Sequence, residues 1–483
     1  MGKSNIKTKV FSGIIWKFSE RILAQVVTFV VSIVLARLLN PEHYGAIAIV
    51  NIFIALANVF VVSGFGNSLV QKKDSDDTDF SSVFYFNIIS SIVVYIGVFF
   101  AAPLIADFYS MPVLTPVFRV MGLRLIVAGV NSVQHAYVSK HMMFRRFFWS
   151  TLGGTLVSAV VGIAMAYNGC GIWSLVGQYM TNTITDTIVL WFTVRWRPKW
   201  LFSIKRLGRL FSYGWKILCS ALLETGYTEL RSLVIGKMYT SRDLAYYNRG
   251  QSFPHLFVMN INSSIQSVLF PAMAQDQEDK AKIKNMVRRS IRISSYIMLP
   301  LMLGLALVAE PLVKILLTEK WLPCVPFLQI ACFTYALRPI HTANLQAIKA
   351  IGRSDIFLKL EITKKTVGIA ILLISMQYGV LAIAVSGMIT AVLSSFINAW
   401  PNKKLIGYSY FEQIKDLLSA FVPLVVMSVS VVGVGLFNLP LMIGIVSKIF
   451  AGVVAYVGSS YLTQNKNFIY ILNMIKGKLS KKK

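Results

Sequence analysis

Long apolar blocks, repeated along nearly the whole chain, decide what this sequence can fold into. A helix needs about 20 predominantly apolar residues to cross a hydrocarbon core. Hydropathy read over windows of about 19 residues marks fourteen such stretches, at approximately 11–36, 44–69, 80–103, 116–138, 147–167, 172–194, 211–236, 244–272, 290–309, 325–348, 360–378, 380–400, 414–437 and 440–462. Connections as short as Tyr167–Ile172 and Phe437–Leu441 leave no room for another domain between them. Of 483 residues, 55% are hydrophobic and 14% charged, where a soluble protein carries about 25% charged residues. Mean hydropathy is +0.63. These figures exclude a soluble enzyme, a disordered chain and a nucleic-acid-binding module, despite a net charge of +28 and a pI near 9.9. The fold class is an all-α polytopic membrane protein with about 14 transmembrane helices.

The cations set the expected orientation. With the N-terminus placed in the cytoplasm, the inner segments hold 34 Lys and Arg and the outer loops hold 6, namely Arg37, Lys237, Arg242, Arg249, Lys314 and Lys320. Cytoplasmic loops carry the excess of Lys and Arg, so both termini are expected inside, which an even number of spans satisfies. The positive charge then serves topology and contact with anionic lipid, and nucleic acid is no partner. The first apolar stretch is interrupted by Lys17, Glu20 and Arg21, unlike the clean apolar region of a cleavable signal.

The second half restarts the first. Phe11-Ser12 returns as Phe211-Ser212, Trp16-Lys17 as Trp215-Lys216, and Val34-Leu35-Ala36-Arg37 as Val234-Ile235-Gly236-Lys237. Six spans separate the copies, so they share one orientation. Two six-helix lobes in tandem around a central cavity are a transporter plan. The expected organisation is an N-lobe at 1–194, a basic connector at 195–210, a C-lobe at 211–400, two extra helices at 401–462 and a basic tail at 463–483.

Beyond the cations counted to either side, eight remain within the spans: Lys17, Arg21, Arg119, Arg124, Lys216, Arg231, Arg338 and Lys448. Each costs at least about 2.5–3.5 kcal/mol at a helix centre, so each is a functional hypothesis by default. In the first span Lys17, Arg21, Gln25, Thr28 and Ser32 share one helix face. In the seventh, Lys216, Ser220, Glu224, Tyr227 and Arg231 repeat that spacing at an offset of 199. Both stripes are expected to face the cavity. The bland readings are snorkelling for Lys17 and Arg119, satisfaction of carbonyls freed by Pro339 for Arg338, and no site for Lys448. The acids Glu20, Glu224 and Asp186 either balance these cations or couple transport to protons or sodium.

No phosphate-binding G-x-x-x-x-G-K-[ST] loop occurs, so ATP is not the expected energy source, and no cofactor or metal is called for. Cys170, Cys219, Cys324 and Cys332 lack metal or redox spacing and read as small apolar fillers.

Several motifs then carry a resemblance. Trp16-Lys17, Glu20-Arg21, Leu35-Ala36-Arg37-Leu38-Leu39-Asn40-Pro41-Glu42, Tyr44-Gly45, Gly64-Phe65-Gly66, Ala102-Pro103-Leu104-Ile105-Ala106, Gly171-Ile172-Trp173, Trp196-Arg197-Pro198 and Tyr246-Tyr247-Asn248-Arg249 resemble polysaccharide-export flippases. These are of the O-antigen and colanic-acid-exporter type, within the multidrug/oligosaccharidyl-lipid/polysaccharide superfamily. The resemblance runs over 10–270 and more loosely to 460; Thr240 departs from it, standing where glycine is common. It implies translocation of an undecaprenyl-diphosphate-linked oligosaccharide between leaflets of a bacterial inner membrane, alongside a glycan polymerase and glycosyltransferases. The residues fit that substrate: guanidinium forks suit phosphate, so Arg21, Arg124 and Arg231, with Lys17, Lys216 and Gln25, are the expected binding groups. With an inside-negative potential, moving two negative charges outward gains about 4–5 kcal/mol per 100 mV. The alternatives are a cation-coupled multidrug antiporter of the same superfamily, and a membrane glycan-assembly enzyme.

Overall fold

The computed structural model describes residues 22–62, 65–72, 74–437 and 439–480. Among these, every regular element is helical. The order is α1 (Ile22–Leu38), α2 (Pro41–Val62), α3 (Phe65–Gln71), α4 (Asp77–Phe108), α5 (Leu114–Lys140), α6 (Phe144–Tyr167), α7 (Ile172–Thr193), α8 (Ile204–Met238), α9 (Ser241–Gln275) and α10 (Lys280–Leu307). It continues with α11 (Ala309–Leu316), α12 (Val325–Ala336), α13 (Arg338–Ala350), α14 (Ser354–Ser375), α15 (Val380–Ile406), α16 (Tyr410–Leu417), α17 (Phe421–Gly435), α18 (Leu441–Leu462) and α19 (Lys466–Ser480). All fourteen expected spans are helical where described.

Nine stretches among the described residues are long and apolar enough to cross a membrane, and α1 is a shorter apolar helix. The expected spans below that threshold are the first, α7, α8, the α12–α13 pair and α14. Beyond the first, of which only part is described, they are the spans that carry Asp186, the Lys216–Arg231 stripe, Arg338 and Lys364–Lys365. Polar residues lower the hydropathy of α7, α8 and α14, while α12 and α13 are each too short to cross; charge inside a span also marks it for function.

The chain forms two compact units, one reaching Ala245 and the other starting at Tyr246. In the first unit α5 packs against α2, α4 and α7, α6 pairs with α7, and α8 lies on α2, α3 and α4. Close helix approach needs small residues. A Cβ on Gly129 would come within 2.7 Å of Ser91 Oγ on α4, and one on Gly154 within 3.1 Å of the Asn182 carbonyl on α7. A buried core of Phe65, Leu69, Phe80, Phe84, Val133, Leu190 and Trp196 closes one end. Three loops expected on the inner side meet there. Asp76 caps α4 in a reciprocal capping box with Asp79. Asp79, fully buried, pairs with Lys72 at 2.5 Å, and Lys140 donates to the Lys72 carbonyl at 2.8 Å. The 195–203 connector is tied to the same place: Trp196 Nε1 donates to Asp77 at 3.2 Å, Lys199 pairs with Asp77 at 2.6 Å, and Ser81 and Ser82 accept from the Lys199 and Ser203 amides. Just beyond it, Arg206 on α8 holds Asp76 at 2.5–2.6 Å. That guanidinium keeps the half-exposed Asp76 carboxyl down at about 2.

In the second unit α10 packs on α12, α13 and α17, and α15 on α12, α13 and α14. Ile283, Val287, Ile291, Ile340, Ala343 and Ala347 form its buried core. The extra pair α17–α18 joins α10 through Tyr296, whose carbonyl accepts from Tyr456 at 2.8 Å. At one end Arg288 grips Asp416 with two bonds of 2.6 and 2.8 Å, Arg292 lies 3.3 Å from the same carboxylate, and the buried Tyr408 hydroxyl donates to it at 2.8 Å.

The repeat extends into backbone geometry. The α5–α6 turn carries Met142 at φ 55° and the α13–α14 turn Gly352 at φ 79°; α7 and α15 are each preceded by a positive-φ glycine, Gly171 and Gly379. Pro103 in α4 is matched by Pro311 in α11, each within a Pro-Leu-aliphatic run. One feature is not shared. α5 is continuous, whereas its counterpart is interrupted at Leu337, where α12 ends and α13 starts with Arg338-Pro339. Pro339 stands in the first turn of α13, where its missing N–H leaves no intrahelical bond unmade.

Candidate functional site: a polar seam between two helices

Arg124, Asn131 and His135 lie along one face of α5, and Tyr179, Thr183 and Asp186 along one face of α7. Packing of the two helices brings these rows together. Arg124 Nε donates to Thr183 Oγ1 at 3.1 Å, and its guanidinium lies over the Tyr179 ring, 5.2 Å from the centroid. Among the described residues its terminal nitrogens have no hydrogen-bond partner, so the planar fork is held by its neck. Two turns along, Asn131 Nδ2 donates to Asp186 Oδ2 at 2.8 Å, with His135 Nε2 3.3 Å from the same oxygen and 3.1 Å from the Asn131 amide. The His135 ring stacks on Phe147 at 5.0 Å, fixing its plane.

This seam has two chemically distinct ends. The Arg124 end offers a fork with aromatic support, suited to a phosphate oxygen. The Asp186 end offers a carboxylate and an imidazole sharing hydrogen-bond partners, a group able to hold or release a proton. The Asn131 amide and the His135 imidazole beside Asp186 meet the requirement that a carboxylate inside a membrane protein be satisfied.

Of the residues expected at the site, Arg124 and Asp186 belong to this seam. Lys17, Glu20 and Arg21 lie outside the described residues. Gln25 is half-buried on α1; Lys216 and Glu224 are exposed and Arg231 half-buried on α8, whose neighbours are α2, α3 and α4. Of the other intramembrane cations, Arg119 stacks 4.3 Å over Phe99. Asn131, His135, Tyr179 and Thr183 escaped the sequence reading. The available signal was spacing: positions 124, 131 and 135 share one α5 face, as 179, 183 and 186 share one α7 face. Among the described residues no cluster of three or more His, Cys, Asp or Glu could hold a metal ion. Cys324 and Cys332 are buried fillers, while Cys170 and Cys219 are exposed.

The helical bundle in two repeated parts has the fold of solved membrane transporters. The fold is similar to that of the lipid II flippase MurJ in an inward closed conformation, with a TM-score of 0.72 at 13% identity over 94% of this chain and 99% of that one. It is also similar to an inward-facing multidrug resistance MATE family transporter, with a TM-score of 0.62 at 16% identity over 82% and 99%. The chain belongs to the family described as Polysaccharide biosynthesis protein, which it matches over residues 34–326. Similar proteins include the lipopolysaccharide biosynthesis protein WzxC of Escherichia coli (strain K12), 24% identical over 86% of each chain. The succinoglycan biosynthesis transport protein ExoT of Rhizobium meliloti (strain 1021) is 23% identical, over 68% of this chain and 66% of that one. The teichuronic acid biosynthesis protein TuaB of Bacillus subtilis (strain 168) is 21% identical over 73% of each.

Proposed function

We propose that this multi-pass membrane protein is a flippase that carries a polyprenyl-diphosphate-linked oligosaccharide from the inner to the outer leaflet of a bacterial inner membrane. It is a transporter and catalyses no bond chemistry on its cargo. Membership of the polysaccharide biosynthesis family is the observation that carries the reading, and the orientation of Arg124 supports it. A diphosphate entering a membrane loses most of its hydration, and guanidinium forks replace those bonds two at a time. Arg21, Arg231, Lys17, Lys216 and Gln25 supply further donors in this reading, while the polyprenyl tail stays in lipid. Both termini lie in the cytoplasm, and the glycan polymerase and glycosyltransferases act before and after this step. An inside-negative potential, or a proton or sodium gradient, drives the outward stroke, with Asp186, Glu224 and Glu20 as the acids available for coupling.

The test is leaflet exchange of a fluorescent polyprenyl-diphosphate oligosaccharide in liposomes holding the purified protein. Exchange is expected to accelerate under an inside-negative potential and to fall in Arg124→Gln and Arg231→Ala. Exchange indifferent to both substitutions would sink the reading. The Asp186–His135 pair favours one second reading, cation-coupled drug antiport; proton-driven efflux of small organic cations, with no lipid exchange, would establish it.

A further inference from the structure

Arg338 has no role in the site above, and a bland role does not fit its surroundings. It opens α13 at the interruption of the α12–α13 pair. That pair lies against α10 and α15, both long and apolar enough to span, and the interruption falls midway along it. The guanidinium is exposed and, among the described residues, makes no ion pair. At such a depth an arginine facing hydrocarbon costs at least about 2.5–3.5 kcal/mol, so the face it occupies is hydrated.

The groups around it are those of a recognition site. Arg338 lies over the Tyr335 ring at 5.8 Å. The Tyr335 hydroxyl donates to Gln251 Oε1 on α9 at 3.3 Å, which leaves the Gln251 amide nitrogen for another acceptor. His255, one turn further along α9, has its ring 6.0 Å from that of Tyr335. One turn deeper, Thr342 donates to Asn262 Oδ1 of α9 at 3.2 Å, so α9 stays registered on α13 beside the interruption. A fork, an imidazole and an amide thus converge from α9, α12 and α13 without an acid among them, a donor-rich, net cationic group suited to an oxyanion.

We propose that this interruption is a second phosphate-binding subsite, in which Arg338, His255 and Gln251 take the diphosphate of the lipid-linked cargo. The assignment rests on the flippase reading and extends it from the first unit to the second. With the ends of α5 and α13 aligned, Arg338 falls opposite Ala128, one turn from Arg124. Each repeat therefore presents an arginine, seated over a tyrosine, at nearly the same level of its fourth span. The two differ in support: Arg124 is held by a hydroxyl from α7, Arg338 only by a ring of its own helix pair.

The test is equilibrium binding of undecaprenyl diphosphate and of undecaprenol to the full-length protein in nanodiscs, with and without phosphatidylglycerol. Wild type is expected to prefer the diphosphate, and Arg338→Gln to lose about tenfold or more of that preference, as removal of a charge-assisted hydrogen bond does. Undecaprenol binding should not change. Arg338→Lys, which keeps the charge without the fork, should fall between, and His255→Gln should weaken diphosphate binding independently of any folding defect at Arg338. Arg353→Gln, which breaks only the Arg353–Asp355 pair at the end of α13, should match wild type. A discriminating wild type with Arg338→Gln, Arg338→Lys and His255→Gln all unchanged overturns the subsite alone. A wild type that does not discriminate overturns the subsite and the flippase reading together. Competition by phosphatidylglycerol at equal concentration overturns the assignment to the carrier diphosphate in favour of a phospholipid headgroup.

Discussion

α5 and the α12–α13 pair occupy the same place in the two repeats and solve the same problem differently. α5 crosses in one piece and carries Arg124, Asn131 and His135 on a face covered by α7, where Thr183 and Tyr179 hold Arg124 by its neck and Asp186 bonds Asn131. The second copy is interrupted at Leu337, and its arginine is left exposed at the edge. The lesson is that a polar group inside a membrane protein can be kept in two ways. Either a neighbouring helix supplies its partners, or the backbone opens and water or cargo does so.

Five substitutions sharpen that contrast, taken from the largest expected effect. Asp79→Ala removes a fully buried carboxylate, its Lys72 pair and half of the α4 capping box, all features of the first unit. A loss of about 3 kcal/mol is expected, seen as a lower unfolding midpoint; a midpoint within error of wild type would mean that the ion pairs at this end do not stabilise the unit. Asp186→Asn keeps the shape of the α5–α7 seam and removes its charge, so it should spare folding while abolishing any dependence of transport on a proton gradient. Persistence of that dependence would remove Asp186 from coupling. Next come the matched turns. Gly352→Ala forces a side chain into the left-handed region and should cost about 1 kcal/mol, whereas Met142→Gly relieves it and should gain up to about 1 kcal/mol; equal signs would break the equivalence of the turns. The smallest effect is electrostatic. Arg206 depresses Asp76 to about 2, so its contribution is complete above about pH 4 and is lost as pH falls through 2. With the pair half-exposed, about 0.5 kcal/mol is at stake, measured as a shift in acid unfolding that Asp76→Asn should erase.

Much of this architecture could be read from the residues alone, because the bilayer imposes a length and a polarity that sequence displays directly. The spans around Ile49, Val93, Val160 and Val429 needed nothing more than apolar length. The repeat was visible in Trp16-Lys17 and Trp215-Lys216, and Pro339 marked the interruption. What stayed hidden was pairing. Arg124 and Asp186 stood out as charges in apolar surroundings, but nothing in a one-dimensional pattern says that Thr183 meets one and Asn131 the other, since those contacts join helices 59 and 55 residues apart. His135 and His255 stayed hidden for the same reason, each becoming informative only beside its partner. The dense pairing of Asp76, Asp77 and Asp79 with Lys72, Lys199 and Arg206 was masked too, because orientation depends on Lys and Arg alone and takes no account of the acids that neutralise them.

The interruption at Leu337 also bears on how the protein is made. α12 has 12 residues and α13 has 13, and neither reaches the length that lets a nascent segment partition into lipid by itself. Joined, they carry Arg338 at the centre, where insertion is most resisted. The pair must therefore be held by neighbours that insert on their own, with α10 emerging from the ribosome before it and α15 after it. α5 enters without such help. Until α15 is made, α12 and α13 lack one of the two spanning helices they pack against.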